Sequence, residues 1–198
     1  SGASTATYSA LIGSTSSTDD SYNEFISNLF EGGSYGLYYL GRGSTMLDLG
    51  LKIKNNIFNN QYYRAMHITA QSSAQITENQ INAVSVSSSY QGIYAFYCDN
   101  ALRILKNKIN ITNGGYAIYI HNSSGSATEK GLIANNFISL GGNAEANGIY
   151  INLSSAQHIY YNSFNVYSNN NNSKVLNING STTANIDIRN NNFYSSGN

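Results

Sequence analysis

Cleavage of a glycosidic bond by acid and base needs two or three clustered carboxylates. The ten in this chain are scattered: Asp19, Asp20, Glu24, Glu31, Asp48, Glu78, Asp99, Glu129, Glu145 and Asp187. Asp19 and Asp20 are adjacent, but neighbours on a strand point to opposite faces. Eliminating a proton beside a uronate needs a cation or arginine and a base. The residues that come nearest are Arg64, His67, Asp99 and His121, a loose group of weak catalytic candidates with no confident catalytic residue among them. The three His are isolated in sequence, and the single Cys98 can form neither an internal disulfide nor a Cys-based zinc site. No metal and no cofactor is expected; Cys98 is read as a free thiol in a turn after an apolar strand. Tyr is the abundant chemical group, with 17 copies. Its flat apolar face and hydroxyl suit the C–H faces and hydroxyls of a sugar chain.

Two interleaved repeats position these groups. The first is apolar-x-x-Asn-x-apolar, running from Phe25/Asn28/Phe30 to Ile188/Asn191/Phe193, with Leu132/Asn135/Phe137 as its fifth copy. Its Asn residues are Asn28, Asn56, Asn79, Asn107, Asn135, Asn162 and Asn191, separated by 28, 23, 28, 28, 27 and 29 positions. The second is small-apolar-outward-apolar, as in Gly36-Leu37-Tyr38-Tyr39, Ala117-Ile118-Tyr119-Ile120 and Gly148-Ile149-Tyr150-Ile151. Its first apolar residues, Leu37, Met66, Ile93, Ile118, Ile149 and Leu176, step by 29, 27, 25, 31 and 27. A weaker copy at Ser9 to Ile12 would begin one further coil. Alternation at period two makes both motifs strands, and no window holds an i, i+3, i+4 apolar pattern. Strand pairs recurring every ~27 residues with no helical crossover predict a parallel β-solenoid, each coil burying its core against the next. The recurring Asn fits a tight bend, because Asn tolerates the left-handed conformation. Stacked Asn can also bond coil to coil as a ladder.

Parity then assigns an outer column. If Ile149 and Ile151 face inward, Tyr150 faces out, and the same step on every coil gives Tyr38, His67, Tyr94, Tyr119, Tyr150 and Asn177. These are the candidate ligand-binding residues. Strict alternation places Gly36, Ala65, Gly92, Ala117, Gly148 and Val175 outside as well, as a shallow trough beside the aromatic wall. Leu40, Thr69, Phe96, His121, Asn152 and Asn179 flank the other side. Aromatic neighbours on a sheet also stabilise it, by about 0.2–1 kcal/mol a pair, and this structural role competes with ligand binding.

The alternation of an N-I-x-x-N-x-F type segment with a G-I-Y-I type segment resembles the right-handed parallel β-helix repeat. That architecture is shared by pectate-lyase-like proteins, surface adhesins and phage tailspikes. The resemblance covers residues 10 to 194. It implies a single all-β domain over 10–198 after a lead-in or tag remnant at 1–9: a single-stranded, right-handed parallel β-helix of about seven coils with an Asn ladder. In it the G-I-Y-I strand lies on the first sheet, the Ile before each Asn on the second and the residue after it on the third. Catalytic members of the resembled family bind acidic polysaccharides along the first sheet and its flanking turns. Right-handedness and extracellular or cell-surface placement rest on this resemblance.

Composition narrows the partners. Ten Lys plus Arg balance ten Asp plus Glu and only 10% of residues are charged, which removes the basic footprint of a nucleic-acid binder. No apolar run is long enough to span a membrane. Proline is absent, consistent with backbone N–H groups committed to ladders. Neither end carries a charged or helical cap. Either the chain is a piece of a longer β-helix, with Ser1-Gly2 a cloning remnant, or its open ends pair with other copies as a homo-polymer. Three functions are therefore expected in order: a non-catalytic extracellular module binding polysaccharide along the Tyr-lined face; a subunit stacking end to end into an extracellular filament; and a polysaccharide lyase or glycoside hydrolase fragment.

Overall fold

The period-two segments form strands that join into three parallel sheets in a computed structural model, which describes residues 10–84 and 86–196. The expected lead-in at 1–9, including Ser9 of the weak first copy, lies outside the described residues. Each coil contributes one strand to every sheet, and strands of successive coils are hydrogen-bonded neighbours. The first sheet runs from Ala10–Gly13 through Tyr35–Leu40, Arg64–Ser72, Gln91–Asp99, Gly115–His121 and Ala146–Asn152 to Lys174–Asn179. The short strand Asp48–Leu49 pairs beside it with Arg64–Ser72. The second sheet holds the three- or four-residue strands before each ladder Asn, from Glu24–Ile26 to Ile186–Arg189. The third holds those after it, from Leu29–Glu31 to Asn192–Ser195. All strand pairs between coils are parallel, and the described residues contain no helix. This is a parallel β-solenoid of about seven turns, the fold class the repeats predict, with its first strand at Ala10–Gly13 pairing Ile12 with Leu37.

The interior is built from stacked columns of like residues. Leu37, Met66, Ile93, Ile118 and Ile149 lie in register on the first sheet and are fully buried. Ile53, Ile76, Ile104, Ile133 and Ile159 do the same on the second. On the third, Phe30 stacks on Phe58 with ring centroids 4.4 Å apart and planes within 1°. Ile81, Ile109 and Ile138 continue that column to Phe164. A column that keeps its shape from coil to coil leaves few voids, which is what close packing demands.

The Asn ladder runs through Asn28, Asn56, Asn79, Asn107, Asn136, Asn162 and Asn191. The side-chain amide of each donates to the Asn Oδ1 of the next coil at 2.9–3.0 Å. The same Oδ1 also accepts the backbone N–H of the preceding Asn. The second Nδ2 proton goes to a carbonyl of the preceding coil, as from Asn107 to Ile76 O at 2.8 Å. Every polar atom of a central ladder Asn is thus paired while fully buried, which removes the desolvation cost of the amide.

Two expectations are corrected here. The fifth ladder residue is Asn136, not Asn135. The segment Leu132-Ile133-Ala134-Asn135-Asn136-Phe137-Ile138 fits the motif in two frames. Packing selects the one that buries Ile133 and Ile138 and leaves Phe137 52% exposed, since a one-residue slip would turn every side chain over. The ladder Asn also do not take the left-handed conformation. The residue before each one does, at Ser27, Asn55, Glu78, Lys106, Asn135, Tyr161 and Asn190, with φ between 55° and 60°. The bend and the ladder are adjacent positions with different jobs, and Asn135 fills the first of them.

Candidate functional site

Parallel pairing fixes the outer column residue by residue. Tyr38 lies beside His67, His67 beside Tyr94, Tyr94 beside Tyr119, Tyr119 beside Tyr150 and Tyr150 beside Asn177. All six are half-buried on the outer face of the first sheet. Phe96 and His121 pair in the flanking column. The rings touch along the solenoid axis: His67 to Tyr94 at 5.0 Å, Tyr94 to Tyr119 at 5.2 Å and Tyr119 to Tyr150 at 4.8 Å. Successive planes are tilted by 71°, 84° and 85°, the edge-to-face arrangement that ring quadrupoles favour. Contacts from Tyr94 to Phe96, Phe96 to His121 and Tyr97, and Tyr116 to Tyr119 and Tyr150 widen the column into a connected patch. Elsewhere on the outer surface, among the described residues, ring contacts join only His158, Tyr160 and Tyr161.

The trough beside the wall does not exist. A Cβ placed on Gly36 would meet the buried Phe58 ring at 2.8 Å, and one on Gly148 would meet the Phe164 ring at 3.0 Å, so the small residues face the core. Ala65 and Ala117 in the same column are fully buried. Strict alternation fails because the small residue and the apolar anchor after it both turn inward. The outer neighbours of the Tyr column are instead Tyr35, Arg64, Gln91, Tyr116, Asn147 and Lys174, which lie in register. The signal was in the sequence: a column restricted to Gly and Ala over five coils is a column with no room.

Arg64 is the centre of this second row. Its guanidinium carbon sits 4.3 Å from the centroid of the Tyr94 ring and 4.8 Å from that of Tyr63, within cation–π range. Its Nε donates to Gln91 Oε1 and its Nη1 to His67 Nδ1. Since arginine only donates, His67 accepts at Nδ1 and carries its proton on Nε2. Burial, helped by the Arg64 charge, pushes the His67 pKa down to about 3. The imidazole is therefore neutral at physiological pH, held as an acceptor for the guanidinium. No carboxylate among the described residues lies within ion-pairing distance of Arg64, so the face carries an uncompensated positive charge framed by rings.

The four catalytic candidates are only partly assembled. Arg64 and His67 touch. His121 packs on Phe96 and Tyr119 at 5.0 and 5.9 Å, and burial lowers its pKa. Asp99 pairs in register with Ser72, beyond the aromatic columns, and spends Oδ1 on the Ser124 N–H at 2.7 Å; burial raises its pKa. No group of three or more His, Cys, Asp or Glu among the described residues is placed to hold a metal ion. No helix of the described residues is long and apolar enough to cross a membrane.

Cys98 is not in a turn. It ends the inward side of the strand Gln91–Asp99, fully buried, and burial pushes its thiol up to about 12. It belongs to a second internal ladder: the Cys98 N–H donates to Ser123 Oγ at 2.8 Å and the Ser123 N–H to Ser154 Oγ at 3.0 Å. Each of these residues lies five positions after its coil's apolar anchor, Ile93, Ile118 or Ile149, a spacing that could have revealed the ladder in the sequence.

Fold and face together define a parallel β-solenoid with an aromatic, Arg-centred outer sheet. Compared with protein-family models, curated proteins and solved structures, the chain matches none.

Proposed function

We propose that this chain is a non-catalytic extracellular module, part of a secreted or cell-surface protein, that binds polysaccharide along the outer face of its first sheet. The observation that carries the proposal is the connected ring patch spanning the coils from Tyr38 to Tyr150. The outer faces elsewhere mix charge and amide pairs such as Glu24–Lys52 and Asn59–Asn82 with exposed apolar residues such as Leu29, Ile57 and Phe137, and hold no ring row of that length among the described residues. A half-buried phenol in each of several successive coils offers apolar area and a hydroxyl at a repeat of ~4.8 Å, and Arg64 adds one charged donor. A lyase or hydrolase would need acid and base within reach of one bond; Arg64 paired with a neutral His67 supplies neither. The double variant Tyr94→Ala with Tyr119→Ala is expected to lose retardation in affinity electrophoresis through polysaccharide gels while keeping its β-sheet circular dichroism. Unchanged retardation in the variant, or no retardation of the parent on any glycan, defeats the proposal.

Stacking of further copies against the last described coil is the second function we propose. Ile178, Ile188 and Phe193 occupy core columns yet are 42%, 39% and 45% exposed, and a following coil would cover them. Electron microscopy of concentrated protein is expected to show filaments; monodisperse single particles would defeat stacking.

A further inference from the structure

Three Asn-Gly pairs occur in the chain, at Asn113-Gly114, Asn147-Gly148 and Asn179-Gly180. Glycine after asparagine leaves the following backbone nitrogen uncrowded, so its attack on the side-chain amide is limited by how firmly the fold holds the two groups. The three sites differ in this respect. Asn147 is fully buried within the strand Ala146–Asn152, its Nδ2 donating to Glu145 Oε1 and its Oδ1 accepting from Asn177. At the second site, the Asn113 amide donates to Val86 O at 2.9 Å and the Gly114 N–H to Gly141 O at 2.7 Å, tying both reacting groups to neighbouring coils.

Asn179 is exposed and is the last residue of its strand. The Gly180 N–H makes no coil-to-coil bond among the described residues; it donates to Asn179 Oδ1 at 2.8 Å, which holds the nitrogen against the amide it would attack. Gly180 has a φ of 98°, and a Cβ there would meet Leu153 N and Cδ2 at 2.7 Å, so only glycine suits this turn. The Asn179 Nδ2, which must leave, is held by a single exposed bond to the Tyr150 hydroxyl at 3.0 Å.

We propose that Asn179 is a site of spontaneous deamidation built into the edge of the aromatic face. The Gly180 nitrogen gives its proton to solvent base and forms a bond to the Asn179 side-chain carbonyl carbon. Nδ2 takes a proton back from solvent as its bond to that carbon breaks, and ammonia leaves, closing a succinimide. Water then opens either carbonyl, giving aspartate or isoaspartate. Either product replaces the donor to Tyr150 with a negative charge in a chain of zero formal net charge. The isoaspartate also lengthens the backbone where Asn179 O accepts the Leu153 N–H. The proposal stands whether or not the face binds a glycan.

The test is peptide mass mapping of the full chain during incubation in mildly alkaline buffer, with isoaspartate scored separately. The peptide containing Asn179 is expected to gain the amide-to-acid mass roughly tenfold or more faster than those containing Asn113 and Asn147, which react only from opened states. In urea the three rates are expected to converge. Asn179→Gln, which keeps the amide but lengthens the ring that must close, is expected to abolish conversion at this position. Equal rates at the three sites in the folded protein, or reaction at Asn179 only in urea, would overturn the proposal.

Discussion

At the residue scale the ladder and the bend can be separated by mutation. Asn136→Ala would leave the Asn107 N–H and Nδ2 and the Ile104 carbonyl without their partner. With orphaned buried groups costing ~1–3 kcal/mol each, a loss of about 3 kcal/mol is expected in urea unfolding. Asn135→Gly, at the left-handed position, is expected to change stability by less than ~1 kcal/mol. The reverse ranking would restore Asn135 to the ladder. His67 makes a second prediction. Its folded pKa, about 3, lies below the ~6.5 of an unfolded histidine. Its contribution is therefore fully present above that unfolded value. It is lost as the pH falls from there toward the folded value, at about 1.4 kcal/mol per pH unit. Asp99, raised by burial, acts in the opposite sense, so the comparison must be made between variants. His67→Gln is expected to flatten the acid limb of the stability curve; parallel curves for variant and parent would refute a buried neutral imidazole.

At the element scale, what was legible followed from period, and what was not followed from broken parity. The Asn spacing and the six anchors revealed the coils and the three sheets. They also placed Tyr38, His67, Tyr94, Tyr119, Tyr150 and Asn177 in one column, because those residues lie where side chains do alternate. The inward turn of Gly36, Gly92 and Gly148 was missed because alternation was carried one residue past the point where it holds. The same step hides the row that holds Arg64, which lies against the Tyr94 ring. The glycines give the test. A Cβ on Gly92 would lie 2.6 Å from the Ala117 carbonyl oxygen of the next coil, which is backbone and cannot swing aside. Gly92→Ala is expected to cost about 1–3 kcal/mol, read as a lowered melting temperature, although an outward glycine on a strand would gain stability from the same change.

At the scale of the whole molecule, repetition makes length a matter of coils rather than residues. Asn79 and Asn107 are 28 positions apart and directly bonded. Removing residues 80–107 joins Asn79 to Lys108 and lets Asn136 take the place of Asn107 in the ladder. The shortened chain is expected to unfold cooperatively, with a denaturant m-value lower by about one seventh. Removing one residue fewer shifts every later side chain across its sheet and is expected to abolish the cooperative transition. Equal behaviour of the two deletions would contradict a core built in register.

The ladder also gives the solenoid an electrical direction. Each Oδ1 from Asn56 to Asn191 faces the coil before and the Nδ2–H bonded to it faces the coil after, so the side-chain dipoles add head to tail and polarise one another. Sheets contribute little net dipole of their own. The row therefore leaves a partial negative pole at Asn28 and a partial positive one at Asn191, the opposite chain sense to an α-helix. Any coil that approaches either pole with an amide of its own is attracted in one orientation and repelled in the other.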